Sequence, residues 1–172
     1  ITSIDLDHQH ILGETLIDIA TEKAGIIKTR IPILVCSQKP TVIDMIRNKA
    51  QESHSPFLYS NDPQKIIINN HSTSFELDNK QYSVPLIGAH QAINAGLAIR
   101  AVMNYCPEMK QPDIQSGLNK TKWFGRFQPL TKKLPIYYDV AHNSGGIRTI
   151  RDNLNTLNAN VTNGIMVLKE DK

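Results

Sequence analysis

The chain has 172 residues, with 19 Lys and Arg against 16 Asp and Glu, a formal net charge of +3. A chain of this length buries roughly 70% of its unfolded surface, enough for a real core and for one or two domains. Its basic residues are scattered and form no block interleaved with aromatics, which argues against nucleic acid as a partner. No apolar run approaches the ~18 residues of a membrane span. Cys36 and Cys106 have no metal-like spacing and read as reduced thiols of a cytoplasmic protein.

The chain opens on "ITSID" without Met and ends on the charged "VLKEDK"; both ends read as cut from something longer. Residues 1–4 are expected to finish a buried strand, and residues 14–28 to form a helix. "IPILVC" follows as a strand with Pro32 near its start. "TVIDMIRNKAQES" has helical spacing, with Thr41 as its expected N-cap after Pro40. "PFLYS" is a short strand. This βαβα alternation predicts an α/β sheet with parallel strands. Residues 61–86 change character: "KIIIN", "STSFELD" and "KQYSVPL" predict a small antiparallel excursion. Its turns fall at Asn69 and Asn70 and at Asp78 and Asn79.

Helical pattern returns in "GAHQAINAGLAIRAVMNY", then in "QPDIQSGLNK" with Asp113 near its start. "WFGRF" breaks the pattern, and a domain boundary is expected between residues 124 and 125. Beyond it "LPIYYDVA" reads as a strand, "GGIRTIRDNLNTLN" as a helix and "NGIMVL" as a strand. That is one βαβ unit, too small to close a domain alone.

Five stretches carry candidate chemistry. In "SIDLDHQH" a strand runs into Asp5, Asp7, His8 and His10, and polar groups beyond a strand's carboxyl end are placed to hold a ligand or a divalent metal. A solvated polar loop is the simpler reading. In "TEKAGIIK", Lys23 shares a helical stripe with Leu16, Ala20 and Ile27. Either its stem lies on the core and the amine reaches water, or the amine is desolvated and reactive toward carbon dioxide.

In "LIGAHQAINAGLAI", His90, Gln91 and Asn94 fall within about one helical turn, and Asn94 suits a purine edge; tying down a helix start serves equally well. In "WFGRFQ", Arg126 reaches for an anion such as phosphate or stacks on Trp123 or Phe127. In "YYDVAHNSGG", Asp139, His142 and Asn143 end a strand before two glycines and a helix N-terminus, an arrangement that attracts anions or merely caps the helix.

In this order the strings "ITSIDLDH", "EKAGII", "GAHQAINA", "FGRFQ" and "DVAHN" resemble the folylpolyglutamate synthase and dihydrofolate synthase family of the Mur ligase superfamily. The likeness runs over nearly the whole chain. It implies the later part of a central ATPase domain (residues 1–124), with a mostly parallel sheet and helices, followed by the start of a Rossmann-like ligase domain (residues 125–172). It implies that His8 and a carbamylated Lys23 support magnesium or manganese. Asn94, Arg126 and Asp139 would hold the adenine, phosphates and ribose of ATP, and His142 would face the incoming glutamate; a monovalent cation is a further candidate.

The implied reaction adds L-glutamate to a folate or dihydropteroate carboxylate through an acyl phosphate. The implied protein is a cytoplasmic monomer with small-molecule substrates and neither nucleic acid nor membrane as partner. Two departures stand out. No Gly-Lys pair of a phosphate-binding loop occurs in the sequence, so the isolated chain is expected to be inactive. Ser144 stands where the family pattern has Pro. A peptidoglycan-precursor Mur ligase and a non-catalytic fragment of the same fold are the competing readings.

Overall fold

The computed structural model describes residues 1–6, 9–131, 134–158 and 163–167; His8 lies outside them. The chain divides into two compact units, one of Ile1–Asp62 with Gly96–Pro107, the other of Pro63–Ala95 with Glu108–Lys172.

The first unit begins with a short helix, α1 (Gln9–Leu12), within the stretch read as a loop, and continues into α2 (Leu16–Ala24). A capping box starts α2. The Thr15 hydroxyl accepts the Asp18 N–H at 3.1 Å, and the Asp18 carboxylate accepts the Thr15 N–H at 2.9 Å and its hydroxyl at 2.8 Å. Two backbone donors at this end, the Thr15 and Asp18 N–H groups, are thereby satisfied. Strands β1 (Ile33–Val35) and β2 (Phe57–Tyr59) pair in parallel, Ile33 opposite Phe57, and α3 (Pro40–Glu52) joins them. The expected parallel pairing is therefore present. The expected N-cap is not: Pro40 occupies the first helical turn, where its missing N–H costs nothing, so the cap is Lys39 and not Thr41.

Residues 1–4 form no regular strand. The Ile1 nitrogen donates to the Leu34 carbonyl at 2.6 Å and Cys36 N–H to Ile1 O at 3.1 Å, one parallel rung beside β1. Beyond it the Gln38 amide takes over, accepting from Ile4 N–H at 2.9 Å and donating to Thr2 O at 2.6 Å. A side chain thus replaces the backbone ladder. The core here is Ala20, Ala24, Ile27, Ile33, Val35, Val42, Ile46 and Ala50, the apolar faces of α2 and α3 closed over β1.

The second unit holds a three-stranded antiparallel sheet, β3 (Gln64–Ile68), β4 (Thr73–Leu77) and β5 (Lys80–Val84), in that order. Both expected turns are present. Asn69 Oδ1 accepts the N–H groups of His71 and Ser72 at 2.9 and 2.8 Å. Asp78 and Asn79 both take positive φ, 51° and 60°, the conformation that suits a two-residue hairpin and that short polar side chains tolerate. Along β4, Thr73, Phe75 and Leu77 are buried while Ser74 and Glu76 are half-buried, the period-two signature of a strand.

Helix α4 (Ala89–Tyr105) starts in this unit, and α5 (Gln111–Asn119) runs beside β5. Gln115 accepts Ser83 N–H at 3.0 Å and donates to Ser83 O at 2.9 Å, and Gln111 donates to Gln81 O at 2.8 Å. These amides satisfy backbone groups of β5 on its outer edge.

Strands β6 (Gln128–Pro129) and β7 (Tyr137–Tyr138) form a two-residue antiparallel ladder, and α6 (Ser144–Thr156) follows. The strand expected over 134–141 is therefore reduced to two residues. The strand expected in "NGIMVL" is absent over residues 163–167, where Ile165 is 97% and Val167 90% exposed. An extended apolar segment holds as a strand only when a neighbour takes its backbone hydrogen bonds, and none of the described strands forms a ladder with it.

Candidate functional site

The site lies where the "LIGAHQ", "WFGRFQ" and "YYDVAHN" stretches meet in the second unit. Thr73, fully buried, fixes its first wall. Its hydroxyl donates to Leu86 O at 2.8 Å and accepts Gly88 N–H at 2.9 Å. Gly88 has φ of 124°, and a Cβ there would meet His90 Nδ1 at 2.7 Å and Asn153 Oδ1 at 2.8 Å. Only glycine suits both the backbone angle and the space.

His90 from α4 and Asn153 from α6 therefore border one point. Asn153 is 3% exposed, and neither its Nδ2 nor His90 Nδ1 has a hydrogen-bond partner. Burial holds the His90 imidazole below its ordinary 6.5, while the nearby Asp139 carboxylate pulls it up and the Arg126 guanidinium pushes it down. Those two influences place both groups in His90's surroundings. Asn94 is one helical turn beyond His90, on the same face of α4, and is exposed.

Asp139 is the junction of the second wall. One carboxylate oxygen accepts Phe127 N–H at 2.7 Å and the other accepts Ala141 N–H at 2.7 Å. Phe127 is buried, has φ of 45° and stacks on Tyr137 with centroids 4.5 Å apart. The left-handed backbone turn is held by that stack and by the carboxylate. Arg126, the residue before it, is exposed. Val140 N–H donates to Gly125 O at 3.0 Å, a second tie between the two loops. His142 is exposed, with Nδ1 3.0 Å from Val140 O, and Asn143 caps α6 by accepting Gly146 N–H at 2.8 Å.

The structure thus brings Arg126 and Asp139 together, with His90 beside them. Sequence reasoning noted His90 without assigning it a role and passed over Asn153 and Thr73. A polar residue flanking the apolar stripe of Ile147, Ile150 and Leu154 was the available signal for Asn153.

Lys23, in the first unit, is exposed. Its angle on α2 is the expected one, but it sits in the last turn, just before the chain leaves the helix at Gly25. There the side chain runs out to water instead of into the core, so the expectation of an amine embedded in hydrocarbon does not hold. Among the described residues no group of three His, Cys, Asp or Glu is placed to hold a metal ion. No helix among them is long and apolar enough to cross a membrane.

No protein-family model matches the chain. The chain is 35% identical to the dihydrofolate synthase/folylpolyglutamate synthase of Bacillus subtilis, over 93% of this chain and 40% of that protein. It is 30% identical to the folylpolyglutamate synthase of Lacticaseibacillus casei, over 86% of this chain and 37% of that protein. Among solved structures, an FPGS–AMPPCP–folate complex superposes with a TM-score of 0.81 at 28% identity, over 90% of this chain and 40% of that one. The Mycobacterium tuberculosis folylpolyglutamate synthase complexed with ADP and AMPPCP shares the fold, with a TM-score of 0.78 at 24% identity over 90% of this chain and 38% of that one.

The chain therefore spans about two fifths of the length of these two curated relatives. The α/β architecture, with its parallel pair, antiparallel excursion and interleaved helices, is that of the Mur ligase fold. Within that fold, the chain belongs to the folylpolyglutamate synthase/dihydrofolate synthase family.

Proposed function

We propose that this chain serves an ATP-dependent ligase that joins L-glutamate to the carboxylate of a folate or of dihydropteroate. The observation that carries the reading is the Asp139 bridge. By accepting the Phe127 N–H, Asp139 anchors the loop that carries Arg126, and both charges act on His90. A cation and an acid held side by side suit the phosphates and the ribose of one nucleotide. One structural relative is a complex with AMPPCP and folate, in keeping with this.

A carboxylate is a poor electrophile. Its oxygen attacks the γ-phosphorus of ATP, ADP leaves, and the acyl phosphate forms. The glutamate amine then attacks the acyl carbon, a proton is lost and inorganic phosphate departs. Arg126 offsets negative charge on the transferring phosphoryl group. Each Asp139 oxygen takes one backbone N–H and keeps acceptor capacity for a ribose hydroxyl. Asn94 donates to and accepts from the adenine edge, and His142 lies toward the incoming glutamate.

On the family likeness, magnesium would be held through His8 and a carbamylated Lys23. The described residues do not by themselves compose such a site, and no step above is routed through the metal. We further infer that residues 1–124 and 125–172 belong to the ATPase and ligase domains, and that the protein is a cytoplasmic monomer acting on small molecules.

The test is a substrate panel with the full-length product that carries this chain, reading glutamate-dependent ADP release. Dihydropteroate or tetrahydrofolate should support turnover and a muropeptide acceptor should not. Arg126→Ala should lower kcat at least about 100-fold, the scale of losing one preorganised charge partner. Turnover on the muropeptide alone, or full activity of Arg126→Ala, would refute the proposal.

A further inference from the structure

A second feature of the same unit shares only Arg126 with the reading above. A cavity of about 290 Å³ opens between the loop that follows β5 and residues 119–129. Trp123 and Phe124 line it and are 64% and 78% exposed, while Phe127 is buried at its margin. Lys122, Arg126 and His71 line it too, and none of its lining residues is an Asp or Glu. Of the residues assigned to ATP, Arg126 alone reaches it; Asn94 and Asp139 do not line it.

Three properties define what fits. The volume falls just below the roughly 300–1,000 Å³ of ordinary ligand pockets, which limits an occupant to about one ring. Two adjacent exposed aromatic side chains offer flat π faces and gain most from a flat apolar partner. Two permanent cations without a lining carboxylate leave positive charge that an anion would complement.

We propose that this cavity binds a small aromatic carboxylate, its ring against Trp123 and Phe124 and its carboxylate toward Lys122. Arg126 is left to the nucleotide and Lys122 receives the carboxylate, so the proposal stands whether or not the chain serves a glutamate ligase.

Trp123 is the sole tryptophan of the chain, so its indole N–H gives a single, assignable signal in a ¹⁵N-labelled sample. Benzoate should shift that signal saturably. Benzamide, which lacks the charge, and cyclohexanecarboxylate, which lacks the ring, should each bind about fivefold or more weakly. Lys122→Ala should weaken benzoate about fivefold, the scale of one exposed ion pair, and Phe124→Ala should weaken it comparably. Both side chains are exposed, and an unchanged indole position in the free variants reports an intact fold. Saturating ATP should leave the benzoate titration unchanged. A non-saturating response, equal affinity for the three probes, variants that bind as the parent does, or displacement of benzoate by ATP would overturn the proposal.

Discussion

Replacing Asp139 tests the junction of the site most sharply. Its carboxylate accepts two backbone N–H groups at 2.7 Å, from Phe127 and Ala141. Hydrogen bonds to a charged acceptor contribute roughly 1.5–3 kcal/mol each. Asn keeps one acceptor oxygen and turns an NH₂ toward the other donor, so Asp139→Asn should cost about 2 kcal/mol. Asp139→Ala leaves both N–H groups without an acceptor and should cost about 4 kcal/mol. For a chain of this length each kcal/mol lowers the melting temperature by roughly 2–4 °C, so the losses are about 4–8 °C and 8–16 °C.

Native-state hydrogen exchange is the assay that localises the effect. In Asp139→Asn the amides of Phe127 and Ala141 should exchange about 30-fold faster, the equivalent of 2 kcal/mol at a factor of ten per 1.4. Amides of the first unit, such as Val35, should hold their rates. If both substitutions left Phe127 and Ala141 exchanging within about threefold of the parent, the carboxylate would not be what holds the 125–127 loop, and the argument that places Arg126 would fail.

Other outcomes follow from the same structure. Gly88→Ala forces a Cβ to within 2.7 Å of His90 Nδ1 at a φ of 124°, and overpacking plus backbone strain should cost about 2–4 kcal/mol in urea unfolding. Thr15→Ala removes the hydroxyl half of the α2 capping box and should cost about 1 kcal/mol by the same measurement. The half-buried His90 has its imidazole held below 6.5 by desolvation, with Asp139 and Arg126 as charged neighbours. The unfolded chain therefore protonates first as pH falls. Stability should be full above 6.5 and decline below it towards the lowered folded value, and His90→Gln should flatten that slope in pH-dependent melts. The 172-residue chain alone has no Gly-Lys phosphate loop and should show no steady ATP hydrolysis by phosphate release; a sustained rate would contradict the proposed division of labour.

What the sequence revealed was the local chemistry. Asn69, Asp78 and Asn79 announce turns because their short polar side chains favour the conformations found there. The βαβ alternation around α3 announces a parallel pair, since such strands need a crossover. The "GRF" and "DVAHN" strings suggested one ligand for Arg126 and Asp139, and the structure ties their loops together.

Depth was harder to read. The helical wheel gives the direction of Lys23 but not that it sits in the last turn of α2, and the amine is exposed. Apolar character in "NGIMVL" suggested a strand, yet pairing depends on a partner that a single segment does not contain. Asn153 and Thr73 earn their burial only through tertiary neighbours, Gly88 and the 86–88 loop, which periodicity does not register.

The proposed ligase is tested most directly by glutamate-dependent ADP release from the full-length product, measured for the parent and for Lys23→Ala with dihydropteroate or tetrahydrofolate as acceptor. The proposal predicts turnover by the parent, a collapse of the rate in the variant, and partial rescue by a short carboxylate supplied in solution. Equal rates in parent and variant, or a parent that ligates glutamate to no pterin acceptor, would contradict it.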